Sequence, residues 1–442
     1  MDWLFVVGVL AFAAGLLVSI ALHEIGHLVP AKLFGVKVTQ YMVGFGRTIW
    51  SRRRGETEYG IKAIPLGGYV RMIGMFPPEP GDDPRKLRTA STGPFQSLVE
   101  DARRAVKVEI QPGDEDRVFY RQAWWKKLIV MLGGPMVNVI IALALAAGVL
   151  LTFGNPDKPV LSTTIGAVSE CVIDASEERR LCTADDPAAP AAEAGVLPGD
   201  RVVSIDGRPI SAWSEAQVAI RAAAGRTVEM VVERDGELVT LTPGIIRTEL
   251  PVLPSNDGEP AEREYERGGF LGVTPVIVDY ERENLAGVVG WAGDFTATMA
   301  GAVISIPQRM VGVWDAAFGG GERDPMGPIG IVGAGRIGGE IASLDIGASE
   351  RIVSFVMLLA SFNMAIALFN LIPLLPLDGG HVAGALWEGI KRGWAKVTRG
   401  PTPRPVDVAK ALPLAYGMAV VLIGMAVLLV YADIVNPIRL SG

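Results

Sequence analysis

From Trp3 to Leu22 the chain carries no charged residue, and this apolar run constrains everything that follows it. About 20 such residues cross the hydrocarbon core of a bilayer as a helix. Inside lipid, only a helix or a closed barrel satisfies its own backbone. The run ends directly in His23-Glu24-Ile25-Gly26-His27. On a continuing helix the two histidines are i and i+4, so their imidazoles share one face and can bind one ion, while Glu24 is left to handle protons. Ionisable groups at a membrane helix are costly and mark function by default. Two of the chain's three histidines fall in this motif.

Half of the 442 residues are hydrophobic, which excludes a disordered chain and fits an integral membrane protein carrying a soluble domain. No run of basic residues with interleaved aromatics points to nucleic acid. The chain begins Met1-Asp2, without the basic n-region of a signal peptide, so the first span is expected to be retained. Four spans are expected: Trp3 to about Leu28, Leu128 to Phe153, Ile352 to about Ile372, and Leu412 to Tyr431. Lys and Arg crowd the first loop near the span ends, and Lys391, Arg392, Lys396, Arg399 and Lys410 crowd the last connection. The positive-inside rule puts both in the cytosol, leaving the acidic centre and both termini outside.

Residues 160–245 read as a compact β-rich domain, with strands at Thr227 to Arg234 and Leu238 to Thr242 joined by the hairpin signal Asp235-Gly236. The stretch Ala194-Gly195-Val196-Leu197-Pro198-Gly199-Asp200 through Ile205-Asp206-Gly207 resembles the core of bacterial PDZ domains, which bind extended peptides or chain ends by strand addition. Cys171 and Cys182, in a polar insertion of this domain, are either a disulfide or two free thiols. Pro251 to Arg267 reads as a linker, and Gly290 to Ala317 as a surface or membrane-lying helix. Met326 to Gly333 lacks the lysine of a phosphate loop and reads as flexible backbone at the membrane surface. Val43 to Arg47 and Tyr59 to Val70 read as short strands punctuated by glycine, a hairpin able to offer an edge to an unwound substrate.

A catalytic zinc site has three protein ligands and one open position. Candidates for the third ligand lie in Asn370-Leu371-Ile372-Pro373-Leu374-Leu375-Pro376-Leu377-Asp378-Gly379-Gly380-His381, at the end of the third span. Asp378 is slightly preferred; His381, three residues on, shares its helical face and stays a rival. The first and third spans run in the same direction, so both half-sites reach the same side of the membrane.

Taken together, HEIGH in a first span, the GFG and LGGYV segments, Gly133-Gly134-Pro135-Met136-Val137-Asn138 opening the second span, the PDZ-like domain and the NxxPxxxLDGG segment resemble the site-2 protease family over nearly the whole chain. The single PDZ domain resembles the actinobacterial Rip-type members. The resemblance implies a zinc intramembrane protease with His23, His27 and Asp378 as Zn2+ ligands, Glu24 as general base, and Asn370 in substrate handling. It implies a multi-pass protein of the bacterial inner membrane, with the PDZ domain extracytoplasmic and the active site near the cytosolic side. Its implied substrates are single-span proteins such as anti-sigma factors, already trimmed outside by another protease, or signal-peptide remnants.

The expected architecture is therefore a multi-span α-helical membrane protein of about four transmembrane helices, with a membrane-associated β-hairpin and an inserted extracytoplasmic PDZ β domain. Its parts are a first helix (1–34), a hairpin loop (35–123), a second helix (124–153), the PDZ domain (160–245), a linker and surface helix (246–350), a third helix (351–381), a cytosolic loop (382–410) and a fourth helix (411–432). Two other classes compete: a membrane-anchored peptidase of soluble peptides, and a non-catalytic PDZ scaffold. An intact Glu24 argues against the scaffold, because a structural site needs no general base.

Overall fold

The computed structural model describes residues 3–75, 77, 113–172, 182, 186–251, 265–321, 323–401 and 403–439. The chain forms two compact units, one from Met1–Leu151 with Asn284–Gly442 and the other from Thr152–Glu283.

The first unit opens with helix α1, Trp3–Leu33, which carries the apolar run and the HEIGH motif without a break. Strands β1 (Val38–Arg54) and β2 (Thr57–Met72) follow as one long hairpin. The hairpin folds back on itself. Gln40, Tyr41, Met42 and Val43 each pair twice, once with residues 58–61 and once with residues 68–71. The start of β1 is thus flanked on both sides, and the end of β2, residues 68–72, forms an outer edge with no further strand among the described residues. The Tyr41 hydroxyl donates to the Ala21 carbonyl at 2.8 Å and Lys32 Nζ to the Tyr59 hydroxyl at 2.8 Å, which pins this sheet along the second half of α1. Helix α2, Trp124–Thr152, crosses α1 where Gly26 meets Gly133. A Cβ on either glycine would run into the other's carbonyl, so small residues let the two backbones touch.

The second unit holds a six-stranded antiparallel sheet and a separate two-stranded one, with short helices. It comprises β3 (Pro159–Val168), α3 (Pro190–Glu193), β4 (Arg201–Ile205), β5 (Arg208–Pro209), α4 (Trp213–Ala222), β6 (Met230–Arg234), β7 (Glu237–Leu241), β8 (Ile246–Pro251), β9 (Tyr265–Phe270) and β10 (Val273–Tyr280). The strand order is β10-β3-β4-β6-β7, with β5 on β4 and β8 paired with β9. Ile165, Val202, Met230 and Val232 point inward at alternate strand positions and close over Trp213 and Ile220 of α4. Asp235 and Gly236 both have positive φ, the conformation a tight hairpin turn requires. Cys171 and Cys182 are joined as a disulfide.

This unit runs past residue 245. The segment read as a linker contributes β8 and β9 at its ends, residues 252–264 lie outside the described residues, and β10 completes the sheet by pairing with β3.

The chain returns to the first unit through α5 (Leu285–Ile304) and α6 (Ile306–Trp314), the latter running into a π-helical turn at Asp315–Gly319. Helices α7 (Ile331–Ser343), α8 (Ala348–Asn370), α9 (Asp378–Val397) and α10 (Leu412–Val435) follow. Five helices of the described chain are long and apolar enough to cross a membrane: α1, α2, α5, α8 and α10. The fifth relative to the sequence reading is α5, the least apolar of them, with none of its residues buried. The Gly-rich stretch read as flexible backbone instead leads into α7, which lies antiparallel against the first half of α1, with Gly338 and Gly339 close to Gly8 and Phe5. Its amino end is capped by Asp433 of α10, whose Oδ2 accepts from the amides of Gly330 at 2.9 Å and Gly333 at 2.8 Å.

Candidate metal centre

His23 and His27 sit one helical turn apart on α1, on its buried face. Asp378 is the first residue of α9, placed there by the turn that follows α8. The fold brings the three together. His23 Nε2 lies 3.4 Å and His27 Nε2 3.3 Å from Asp378 Oδ2, and the two imidazole nitrogens are 3.3 Å apart. Zinc bonds of about 2.0–2.1 Å in a tetrahedron separate neighbouring ligand atoms by about 3.3–3.4 Å. The three atoms are therefore spaced as three corners of a zinc tetrahedron would be. His27 Nδ1 donates to the Val130 carbonyl of α2 at 2.8 Å, which fixes the ring and leaves Nε2 for the metal.

Space for the ion is made by Gly134 of α2. A Cβ on this residue would overlap His27 Nε2 and lie 2.7 Å from His23 Nε2. The α2 backbone that approaches both donor atoms here is thus one without a side chain. Two nitrogens and one carboxylate oxygen, with no fourth residue in the group among the described residues, match the donor set of a catalytic rather than a structural zinc site. The residues fit the metal.

The triad opens on a cavity of about 360 Å³. Glu24 lines it beside the two histidines, and so do Gly67, Gly68, Tyr69 and Val70 from the free edge of β2. Gly68 abuts Glu24: a Cβ there would lie 2.8 Å from Glu24 Cγ and 3.1 Å from its Oε1. Asn370, the last residue of α8, also lines the cavity, as does His381, one turn along α9 from Asp378. His381 stands outside the group of three donors.

The chain matches peptidase family M50 from residue 11 to residue 399. It belongs to that family, the site-2 proteases. It is also 38% identical, over 99% of both chains, to the zinc metalloprotease Rip1 of Mycobacterium tuberculosis (strain H37Rv), and 34% identical, again over 99% of both, to Rip1 of Mycolicibacterium smegmatis. The metalloprotease MmpA of Caulobacter vibrioides is 28% identical over 85% of both chains. The M50 protein described here is accordingly a zinc metalloprotease and a multi-pass membrane protein.

Three parts of this M50 site were not singled out as functional in the sequence. The Val130 carbonyl leaves no trace in a side-chain pattern. Gly134 lies in the motif of residues 133–138, where the spelling marks the segment but not the contact with the imidazoles. Asn138, one turn beyond Gly134, is 1% exposed, lines the cavity, and has no partner for its Oδ1 among the described residues. Its signals in the sequence are an amide inside an apolar span and its place in the motif of residues 133–138, neither of which assigns it a role.

Proposed function

We propose that this M50 member is an intramembrane endopeptidase that cleaves the membrane-spanning segments of single-span proteins, with Glu24 as its general base. The observation that carries the reading is the convergence, in one cavity, of the His23, His27 and Asp378 donors, the Glu24 carboxylate and the open edge of β2. The residues that would hold zinc are His23, His27 and Asp378. When bound, the metal supplies Lewis-acid activation of water and of the scissile carbonyl. Glu24, buried beside the donors, takes the proton from the attacking water and passes it to the leaving amine.

A helical substrate hides its carbonyls in its own hydrogen bonds and must unwind before it can be attacked. Gly68, Tyr69 and Val70 line the cavity beside Glu24 at the outer edge of the hairpin sheet, on which an extended segment can add as a strand and be held at the reacting groups. Asn370, at the cavity wall, is read as a hydrogen-bonding partner of the substrate backbone. The second unit is read as a PDZ domain standing outside the cytosol. The free edge of β10 next to α4, with a cavity of about 420 Å³ lined by Trp213, Ile220, Phe270 and Val273, supports that reading and suits the docking of trimmed chain ends. The relatives' names do not include a substrate; membrane anti-sigma factors, cleaved after a first cut outside, remain the reading for this chain, with signal-peptide remnants as a second class.

The test is cleavage of a model single-span substrate by purified protein in detergent, wild type against Glu24→Gln, with bound zinc quantified in both. Full zinc and lost cleavage in the variant support the assignment of the base. Equal cleavage by both proteins would overturn it.

A further inference from the structure

Among the described residues of the first unit, the most deeply buried charged side chain is Glu388 of α9, at 1% exposure. Both its oxygens face a cation, but only Oε2 accepts a hydrogen bond. Lys127 Nζ of α2, itself 6% exposed, donates to Oε2 at 2.8 Å, and Arg392 Nη2, one turn along α9, lies 2.8 Å from Oε1. The Val406 amide reaches Oε2 at 3.4 Å. Two buried charges cost several kcal/mol each to desolvate and are a poor way to gain stability. The pair calls for another explanation.

The two helices it joins are those that finish the metal site around α1. Lys127 lies one turn before Val130, whose carbonyl holds His27, and two turns before Gly134, which faces both imidazoles. Glu388 lies ten residues after Asp378 on α9, about 15 Å along the axis. The adjacent Gly389 falls about 20° round the helix from Asp378, so the face that presents the carboxylate also lies against α2. There the contact is smooth: a Cβ on Gly389 would sit 2.8 Å from the Trp124 ring, and glycine offers nothing that resists rotation. Glu388, about 80° to the side, supplies the resistance. A carboxylate carried about 5–6 Å from the axis moves about 2 Å for a 20° turn of the helix. Metal ligands tolerate displacements of about 0.2 Å.

We propose that Lys127 and Glu388 are positioning residues for the metal centre, an ion pair that fixes the rotation of α9 against α2 and so holds Asp378 Oδ2 at bonding distance of the ion shared with His23 and His27. The proposal rests on the reading of Asp378 as the third ligand. Arg392 neutralises the carboxylate from its own helix and cannot fix α9 against a neighbour; that task falls to Lys127.

The experiment uses the full chain in detergent, with two readouts that do not depend on cleavage: the rate at which zinc is lost to a chelator, and the visible absorption of cobalt-substituted protein, which reports a tetrahedral site. Lys127→Met and Glu388→Gln are expected to lose zinc about tenfold faster than the parent and to weaken the cobalt band, with helical content unchanged. The apolar double variant Lys127→Met/Glu388→Met removes the buried charges along with the clamp and is the folded reference. It too is expected to lose zinc faster. If the double variant holds zinc and the cobalt band as the parent does, the single variants report only a stranded charge and the positioning role is overturned. Asp378→Ala separates the two readings. Zinc held as tightly as in the parent there would remove the ligand assignment and the proposal with it, whereas lost zinc in Asp378→Ala beside parental retention in the clamp variants would sink the clamp alone.

Discussion

Gly134 faces His27 so closely that no side chain fits between them: a Cβ on Gly134 would overlap His27 Nε2 and lie 2.7 Å from His23 Nε2. The methyl group of Gly134→Ala would occupy the volume an ion needs and push on two donor atoms at once. Backbone relief is blocked by the Gly26–Gly133 contact next to it. Gly134→Ala is therefore expected to lower zinc affinity by about 100-fold, the upper end of what perturbing a ligand's surroundings costs. Metal content after dialysis checks it. Gly148→Ala, on the same helix with nothing within 4 Å of the added Cβ, is expected to keep its zinc.

Gly68 tests the base rather than the metal. An added Cβ at this position would press first on Glu24 Cγ at 2.8 Å and on the Met42 carbonyl at 3.0 Å, rather than on an imidazole or Asp378. Gly68→Ala is expected to keep full zinc while cleavage falls by about 100-fold, in the range that displacing a general base costs. Parallel measurement of zinc content and cleavage rate checks it; loss of both together would mean that the strand edge supports the metal ligands as well.

The half of the centre that lies within one helical turn was legible in the sequence, because i and i+4 need no knowledge of the fold. Asp378 was legible as a region, Asn370 to His381, but the choice between Asp378 and His381 was slight: both lie on one face of α9, and only packing against α1 separates them. Gly134 and the Val130 carbonyl were not legible, since their roles consist of an absence and a backbone atom. The doubled pairing of β1 was hidden because residues 40–43 pair with two segments and a strand pattern names neither. β10 was missed as part of the second unit because the segment before it has a linker's composition. Lys127 read as an ordinary basic flank of a span, its partner being 261 residues away.

Asp433 holds the amino end of α7. Its carboxylate accepts from two backbone amides and from Arg323 Nη2 at 3.1 Å, and both side chains are buried. Asp433→Ala would leave the guanidinium uncompensated and two amides orphaned, at a cost of about 3–5 kcal/mol. Because α7 packs on α1 opposite Gly8 and Phe5, the loss is expected to appear as faster proteolysis within residues 331–343. The double variant Asp433→Leu/Arg323→Leu, which removes both charges, is expected to recover part of the resistance; no recovery would place the cost in the lost amide caps alone.

Asp200 gives the second unit an acid limit. Arg234 grips it on both oxygens at 2.7 Å, and the Leu197 amide adds a third bond at 2.9 Å. The guanidinium holds the Asp200 carboxyl below its ordinary value, with the Leu197 amide acting in the same direction. A carboxyl whose pKa is lower folded than unfolded adds stability that is complete above the unfolded value of about 3.9 and is lost as pH falls toward the folded one. The stability of this unit is thus expected to be flat from pH 7 to about pH 5 and to fall below about pH 4. Asp200→Asn is expected to destabilise this unit at neutral pH, by less than breaking a fully buried pair because Arg234 is partly exposed, and to flatten the acid limb. Trp213 is the second unit's one tryptophan, so the emission that Trp213→Phe removes reports this unit within the full chain. Urea titrations of that signal at pH 7 and pH 3.5, with and without Asp200→Asn, give the two differences. An acid limb of the same size in the variant would assign the pH dependence to other carboxylates.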